Sequence, residues 1–220
     1  MITRTWIERT LRRLAIATLT LTAAIAFVVS PSRFVERAWA DDPMSVVKTT
    51  VNQAMDVLRD SQSPLAQRQD KLRQIVAATF DFDEMSKSAL GYHWKEITPD
   101  QQKEFSNAFV VFIEDSYLSK INDYRGQQVA LRTSRSLDPQ YTQVNTDIID
   151  QSGQDPIHVN YLLQHEGGQW KIYDVTVDAI SIMANYRNQF NRVMNNQGYD
   201  TLIGDLKSKQ TALQASLANH

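Results

Sequence analysis

The stretch Phe80–Tyr124, FDFDEMSKSALGYHWKEITPDQQKEFSNAFVVFIEDSYLSKINDY, sets a Phe-rich amphipathic helix behind a complete helix-start signal. Thr98 has the side chain to cap it, Pro99 suits its first turn, and Gln101 stands three residues after Thr98, which together make a capping box with a proline start. From there Phe105, Phe109, Phe112, Ile113, Ser116, Ile121 and Tyr124 recur at intervals of three and four, the spacing that puts them on one broad face of a helix. Two uses compete for so much apolar surface, packing against a sheet and lining a cavity. For any single residue, core packing is the commoner of the two.

Upstream of this stretch the helical period also holds. Asp42-Pro43 opens a first helix whose Val47, Val51, Ala54, Met55 and Leu58 share a face. Ser63-Pro64 repeats the cap-then-proline signal ahead of a second helix with Leu72, Ile75 and Val76, and Asp81 or Asp83 caps a short helix through Leu90. Downstream of Tyr124-Arg125-Gly126 the period changes to two. Val129, Leu131 and Thr133 alternate with polar residues, as do Val144, Thr146 and Ile148, then Ile157, Val159, Tyr161 and Leu163, then Tyr173, Val175 and Val177. Each set predicts the buried side of a strand. Leu137-Asp138-Pro139, Gln151-Ser152-Gly153 and Glu166-Gly167-Gly168 supply turn residues at short spacing, so an antiparallel meander is expected. The helical period returns after Ile180-Ser181 with Ile182, Tyr186, Phe190 and Val193, ends near Gly198, and resumes through Leu202, Ile203 and Leu206. The expected architecture is α+β, a curved antiparallel sheet of about four strands enclosed by helices.

At the N-terminus Arg4, Arg9, Arg12 and Arg13 precede an uncharged apolar run from Leu14 to Val29, and Ala38-Trp39-Ala40 fits the small-x-small pattern cut by signal peptidase. Two readings follow, a signal peptide over residues 1–40 cut between Ala40 and Asp41, or a retained inner-membrane anchor. The charged segment from Ser30 to Arg37 argues for the anchor, whereas an apolar run of 16 residues is short against the roughly 20 that a span needs. Cleavage is the expected outcome, leaving residues 41–220 as a single domain in the periplasm. That piece keeps 17 Lys and Arg against 23 Asp and Glu, a net of −6, and an acidic chain of this kind carries no basic stripe for a nucleic acid. It has no cysteine, so its core must hold without disulfides.

Catalytic groups are scarce. No two of His93, His158, His165 and His220 have the i, i+4 spacing of a zinc pair, and no cysteine could complete such a site. Asp81, Asp83 and Glu84 fall where a helix begins, and the helix dipole accounts for carboxylates there. Asp174 interrupts a strand. Buried without partners it would be a general base with a raised pKa; the alternative is that it faces the outer side of the sheet with Ile172 and pairs with a nearby donor. No Gly-x-Ser-x-Gly, P-loop or Gly-x-Gly-x-x-Gly is present.

Several short motifs in order resemble one family. They are Phe80-Asp81-Phe82-Asp83-Glu84-Met85-Ser86, Ala89-Leu90-Gly91-x-x-Trp94, Thr98-Pro99-x-Gln101, Tyr124-x-Gly126, Trp170-Lys171-Ile172-Tyr173-Asp174-Val175, Ile180-Ser181 and Asn185-Tyr186-Arg187-x-x-Phe190. With the Phe105 and Phe109 helix, they resemble the MlaC, or toluene-tolerance, family over nearly all of residues 41–220. The resemblance implies a nuclear-transport-factor-like cone with extra helices and a non-enzymatic periplasmic phospholipid carrier with no metal or cofactor, the lipid being cargo. Its implied partners are phospholipid, an inner-membrane ABC transporter complex with an MCE-domain ring, and an outer-membrane lipoprotein-porin complex. Ala179 departs from the pattern, where the family usually has Gly before Ile-Ser.

A lipid carrier needs a dry apolar slot, because two acyl chains exposed to water cost on the order of 25 kcal/mol at about 0.8 kcal/mol per methylene. Its expected volume lies toward the upper end of the roughly 300–1,000 Å³ of ligand pockets. The slot is expected between the inward face of the sheet and the Phe-rich helix. Val144, Ile148, Ile157, Val159, Tyr161, Tyr173, Val175 and Ile180 would form one wall, and Phe109, Phe112, Ile113 and Tyr117 the other.

Overall fold

Asp42 starts the first helix, α1 (Pro43–Arg59), by accepting from the backbone N–H groups of Met44 and Ser45, both at 3.2 Å. The structure, a computed structural model, describes residues 42–118, 121–150 and 155–218. The leader, its cut and the Gln151-Ser152-Gly153 turn lie outside the described residues. Helix α2 (Leu65–Thr79) begins with Pro64 at the cap position, while the Ser63 hydroxyl donates to Asp60 and caps nothing. Asp81 caps α3 (Phe82–Leu90) by accepting from the Glu84 N–H at 2.9 Å. The capping box of α4 (Pro99–Leu118) forms in both directions: the Thr98 N–H donates to Gln101 Oε1 at 2.9 Å, and the Gln101 N–H donates to Thr98 Oγ1 at 3.3 Å. The apolar face expected to run to Tyr124 is broken, because α4 ends at Leu118 and Ile121 lies in a separate 3-10 turn.

The sheet is an antiparallel meander, β1 (Gln128–Asp138), β2 (Tyr141–Ile149), β3 (Ile157–Glu166), β4 (Gln169–Val177) and β5 (Ile180–Ser181), in that spatial order. The two-residue β5 is one strand more than the sequence suggests. Helices α5 (Ile182–Gln197) and α6 (Tyr199–Ala218) complete the α+β arrangement.

Two strand faces differ from expectation. Thr133 is exposed, because β1 is an edge strand whose register shifts between Leu131 and Ser134 and whose outer half lies in water. Tyr173 faces outward as well. In the β3–β4 ladder Leu162 pairs with Asp174 and Leu163 with Ile172, so Tyr173 is the extra residue of a β-bulge. The bulge reverses the parity of the strand: Ile172 is fully buried with Leu163, and Tyr173 stands edge-on to Tyr141 with ring centroids 5.7 Å apart.

The buried side chains form two clusters. One joins α3 to α6 around stacked Phe105 and Phe109, centroids 5.5 Å apart, against which Phe190 and Tyr186 stand edge-on. The other packs α1 on the inward face of the sheet through Val47, Val51, Met55, Val144, Val159 and Leu163. Phe80 and Val175 touch both.

Asp178 and Ala179 form the two-residue turn between β4 and β5, with φ of +47° and +66°. Asp tolerates that region, but alanine there costs about 1–2 kcal/mol, so a Gly at this position reflects backbone conformation. Ala179→Gly is expected to stabilise the fold by up to about 1 kcal/mol after its unfolded-state entropy is offset. Thermal unfolding should show a midpoint raised by roughly 2–4 °C; a lowered midpoint would contradict the strained turn.

Candidate functional site: an apolar cavity between two cores

The two clusters do not close on each other. Between them lies a cavity of about 270 Å³ whose walls come from the helices α1 to α5 and the strands β2 to β4. Ile148, Val159, Tyr161 and Val175 line it from the sheet, and Ile113, Glu114, Tyr117 and Leu118 from α4. Helices α1 and α2 add Ala54, Leu58, Leu72, Arg73 and Val76, and Phe80, Phe82 and Met85 close one end with Ile182 and Met183. Among the described residues the lining is apolar except for two hydroxyls and two charges. Burial pushes the Tyr161 hydroxyl up to about 12 against a hydrogen bond with Thr146, and raises Tyr117 well above the usual phenol value, with Tyr186 and Asp174 adding to it. Both stay neutral at physiological pH.

The walls are pinned at the sheet edge. Phe80 bridges to Ile172, the Asp81 N–H donates to the Ile172 carbonyl at 2.8 Å, and Lys171 Nζ donates to the Ala78 carbonyl at 2.6 Å. These bonds carry the end of α2 onto β4 and hold Phe80 over the cavity. On the far side Arg187 of α5 donates from Nε and Nη2 to the carbonyl and hydroxyl of Ser88 at 2.6 and 2.7 Å. Gly91 permits this clamp, since a Cβ there would stand 3.0 Å from Arg187 Cδ and the residue has φ of +63°.

Of the twelve slot candidates the structure brings six to the cavity: Ile148, Val159, Tyr161, Val175, Ile113 and Tyr117. The other six lie elsewhere. Val144 is buried against α1, and Ile157 packs partly on the same cluster. Phe109 and Phe112 are consumed by the aromatic core. Tyr173 is turned outward by the bulge, and Ile180, on the short β5, is 48% exposed. Sequence reasoning missed the α1–α2 wall. Leu58 and Leu72 sit on recognisable apolar helix faces, but nothing in their spacing says that those faces cover the sheet.

Charge collects at one place, where α2 meets α4. Arg73 Nη1 donates to Asp70 and Nη2 to Asp115, each at 3.0 Å; Asp70 is well exposed and Asp115 fully buried. Glu114, beside Asp115 in the chain, has its pKa raised by burial, with Arg73 opposing and Asp115 adding.

Comparison with known proteins places this geometry. Residues 48–208 match the family described as MlaC protein. The chain belongs to the MlaC family. Among curated relatives, the intermembrane phospholipid transport system binding protein MlaC of Haemophilus influenzae is 25% identical over 201 residues, covering 88% of this chain and 91% of that protein. The toluene tolerance protein ttg2D of Pseudomonas putida is 25% identical over 166 residues, covering 73% and 77%. The solved structure of a phospholipid-binding protein from Ralstonia solanacearum, in complex with a phospholipid, superposes with a TM-score of 0.70 at 22% identity, covering 79% of this chain and 99% of that one, a likeness of fold.

In this MlaC-family chain Asp174 is a buried carboxylate with its donors in place. Ser181 Oγ donates to Oδ2, and the N–H groups of Met183 and Val175 donate to Oδ1 at 3.1 and 2.8 Å. Ser181 in turn accepts from the Ala184 N–H at 2.9 Å as the cap of α5. Burial raises the Asp174 pKa and these bonds oppose the rise. The outward partner pairing expected for it is met, but Ile172 lies on the opposite face. Asp174 does not line the cavity.

Glu114 yields a signed test. A carboxylate whose folded pKa exceeds its unfolded value binds more protons when folded, so its cost is absent below the unfolded pKa of about 4.3 and grows as pH rises through the folded pKa. Glu114→Gln is therefore expected to raise stability at pH 7 by under about 1 kcal/mol, given solvent screening at this half-buried site. The gain should vanish near pH 4. Urea titrations at both pH values check it, and a gain that is larger at pH 4 would contradict the assignment.

Proposed function

We propose that this protein is a non-enzymatic periplasmic carrier that holds a phospholipid by its acyl tails. It would move the lipid between an outer-membrane lipoprotein-porin complex and an inner-membrane ABC transporter with an MCE-domain ring, in the service of outer-membrane lipid asymmetry. The cavity is the observation that carries this reading. It runs between two finished cores, its walls are hydrocarbon and neutral phenol apart from Arg73 and Glu114 where α2 meets α4, and water has few partners along the rest of it. Membership of the MlaC family, the phospholipid-transport name of the Haemophilus relative and the leader-like N-terminus support the cargo, the route and the compartment. Against a general base in the same cavity stands the placement of Asp174, outside the lining and held by three donors.

The volume bears on how loading works. At about 270 Å³ the cavity is smaller than expected from the sequence, near the lower bound of about 300 Å³ for pockets that hold drug-sized ligands. A two-chain lipid carries far more carbon, so its entry parts the walls. Helix α2 is the wall with the least attachment: it meets α4 and β4 through few contacts, whereas α1 is packed on the sheet and α4, α5 and α6 are locked together by the aromatic cluster. Burial of two tails, worth on the order of 25 kcal/mol, is ample to offset the apolar contacts that such an opening breaks.

Solvent extraction and mass spectrometry of protein recovered from the periplasm should find about one phospholipid per chain. Leu72→Trp fills the cavity from half-buried α2 at a stability cost of about 1–3 kcal/mol. It should lower co-purified phospholipid at least about five-fold while the circular dichroism spectrum stays native. Ile180→Asp, on exposed β5, should leave the lipid content unchanged. Full lipid in folded Leu72→Trp would contradict the reading.

A further inference from the structure

The cavity has one electrostatic asymmetry that its apolar walls do not explain. Among the described residues Arg73 and Glu114 are its two charged lining residues, and both sit where α2 and α4 face each other. A charge is costly to hold against hydrocarbon, so this position marks where the lining meets water. Asp70, the exposed partner of Arg73, stands on the solvent side of it. A lipid seated by its tails would carry its headgroup to this rim.

The rim is not a phosphate trap. Among the described residues Arg73 is the one cation there, and it faces Asp70, Asp115 and Glu114. Two of its five guanidinium N–H groups are engaged by Asp70 and Asp115, which leaves three for a phosphodiester oxygen. Asp115 keeps one oxygen, Oδ2, buried and without a hydrogen-bond partner. With all three carboxylates ionised the group is net negative. A headgroup that brings only a phosphate adds to that charge. One that also brings a cationic amine places it among carboxylates, and Glu114, whose ionised form is disfavoured by burial, gains most from a cation beside it.

We infer that this rim discriminates among phospholipids by headgroup charge, favouring zwitterionic amine-bearing lipids over net-anionic ones, with Arg73 taking the phosphodiester and Glu114 the ammonium. Glu114 is the specificity-determining residue, because Arg73 meets the phosphate that both lipid classes share. The inference rests on the phospholipid reading and would sharpen it: the tails supply affinity and the rim supplies choice.

The test uses the protein stripped of lipid and incubated with vesicles of equal parts phosphatidylethanolamine and phosphatidylglycerol having identical acyl chains, at low ionic strength. After re-isolation both lipids are counted by mass spectrometry. The wild type should be enriched in phosphatidylethanolamine by about two- to five-fold over the vesicle ratio, the factor that an exposed ion pair supplies. Glu114→Gln should return the ratio to about 1. At 1 M salt, where screening acts over about 3 Å, the wild-type enrichment should also collapse. Loading in vesicle proportion, enrichment in phosphatidylglycerol, or a preference that survives Glu114→Gln or 1 M salt would overturn this inference and leave the carrier reading standing. A protein that takes up neither lipid overturns both.

Discussion

Phe80 and Val175 are the two side chains that belong to both hydrophobic clusters, and the architecture depends on how little else joins those clusters. One core is closed by aromatic rings on α4 and α5, one pair stacked and the others face to edge, at centroid distances of 5.5 to 5.7 Å. The other is closed by α1 against the sheet. Each satisfies itself. The surface they present to one another is apolar and left partly uncovered, and a protein interior normally fills such space to crystal-like density. An open seam of this kind forfeits dispersion contacts and stabilisation unless something else occupies it.

Polar ties keep the seam from collapsing and from drifting open. They sit at its margins. Asp174 fastens the start of α5 to β4 through Ser181 and the Met183 N–H, and Lys171 and the Ile172 carbonyl fasten the end of α2 to the same strand. Arg187 fastens α5 to α3 at Ser88. Strand β4 is thus the common frame, and its β-bulge serves two demands at once. It sends Ile172 into the core beneath α1, and it sets Asp174 where α5 can be capped. With no cysteine in the chain, hydrogen bonds and packing carry this task alone.

Much of the fold is legible because local chemistry and tertiary structure agree. Thr98, Pro99 and Gln101 form the capping box their order announces, Asp81 caps as its place suggests, and the change of period after Gly126 marks where helices give way to the sheet. The site is legible only in part, for reasons that are physical. Alternation assumes unbroken pleating, so a one-residue bulge inverts every assignment on one side of it, and Tyr173 and Ile172 exchange faces. Phe109 and Ile113 share a helix face, but only the second reaches the cavity, because α5 and α6 cover the first. Ile180 has the apolarity of a lining residue and lacks a strand long enough to carry it inward. The contribution of α1 and α2 depends on how separate elements dock, which periodicity within one element does not encode.

The central claim is that acyl chains occupy the seam between the two cores. Methionine methyl groups provide the probes: Met85 and Met183 line the seam, while Met194 packs against the aromatic core and is not part of the lining. An isotope-filtered NOE experiment on methyl-labelled protein loaded with unlabelled phospholipid is expected to show cross-peaks from acyl methylenes to Met85 and Met183 and none to Met194. Bound lipid whose methylenes report on neither Met85 nor Met183 would contradict the account.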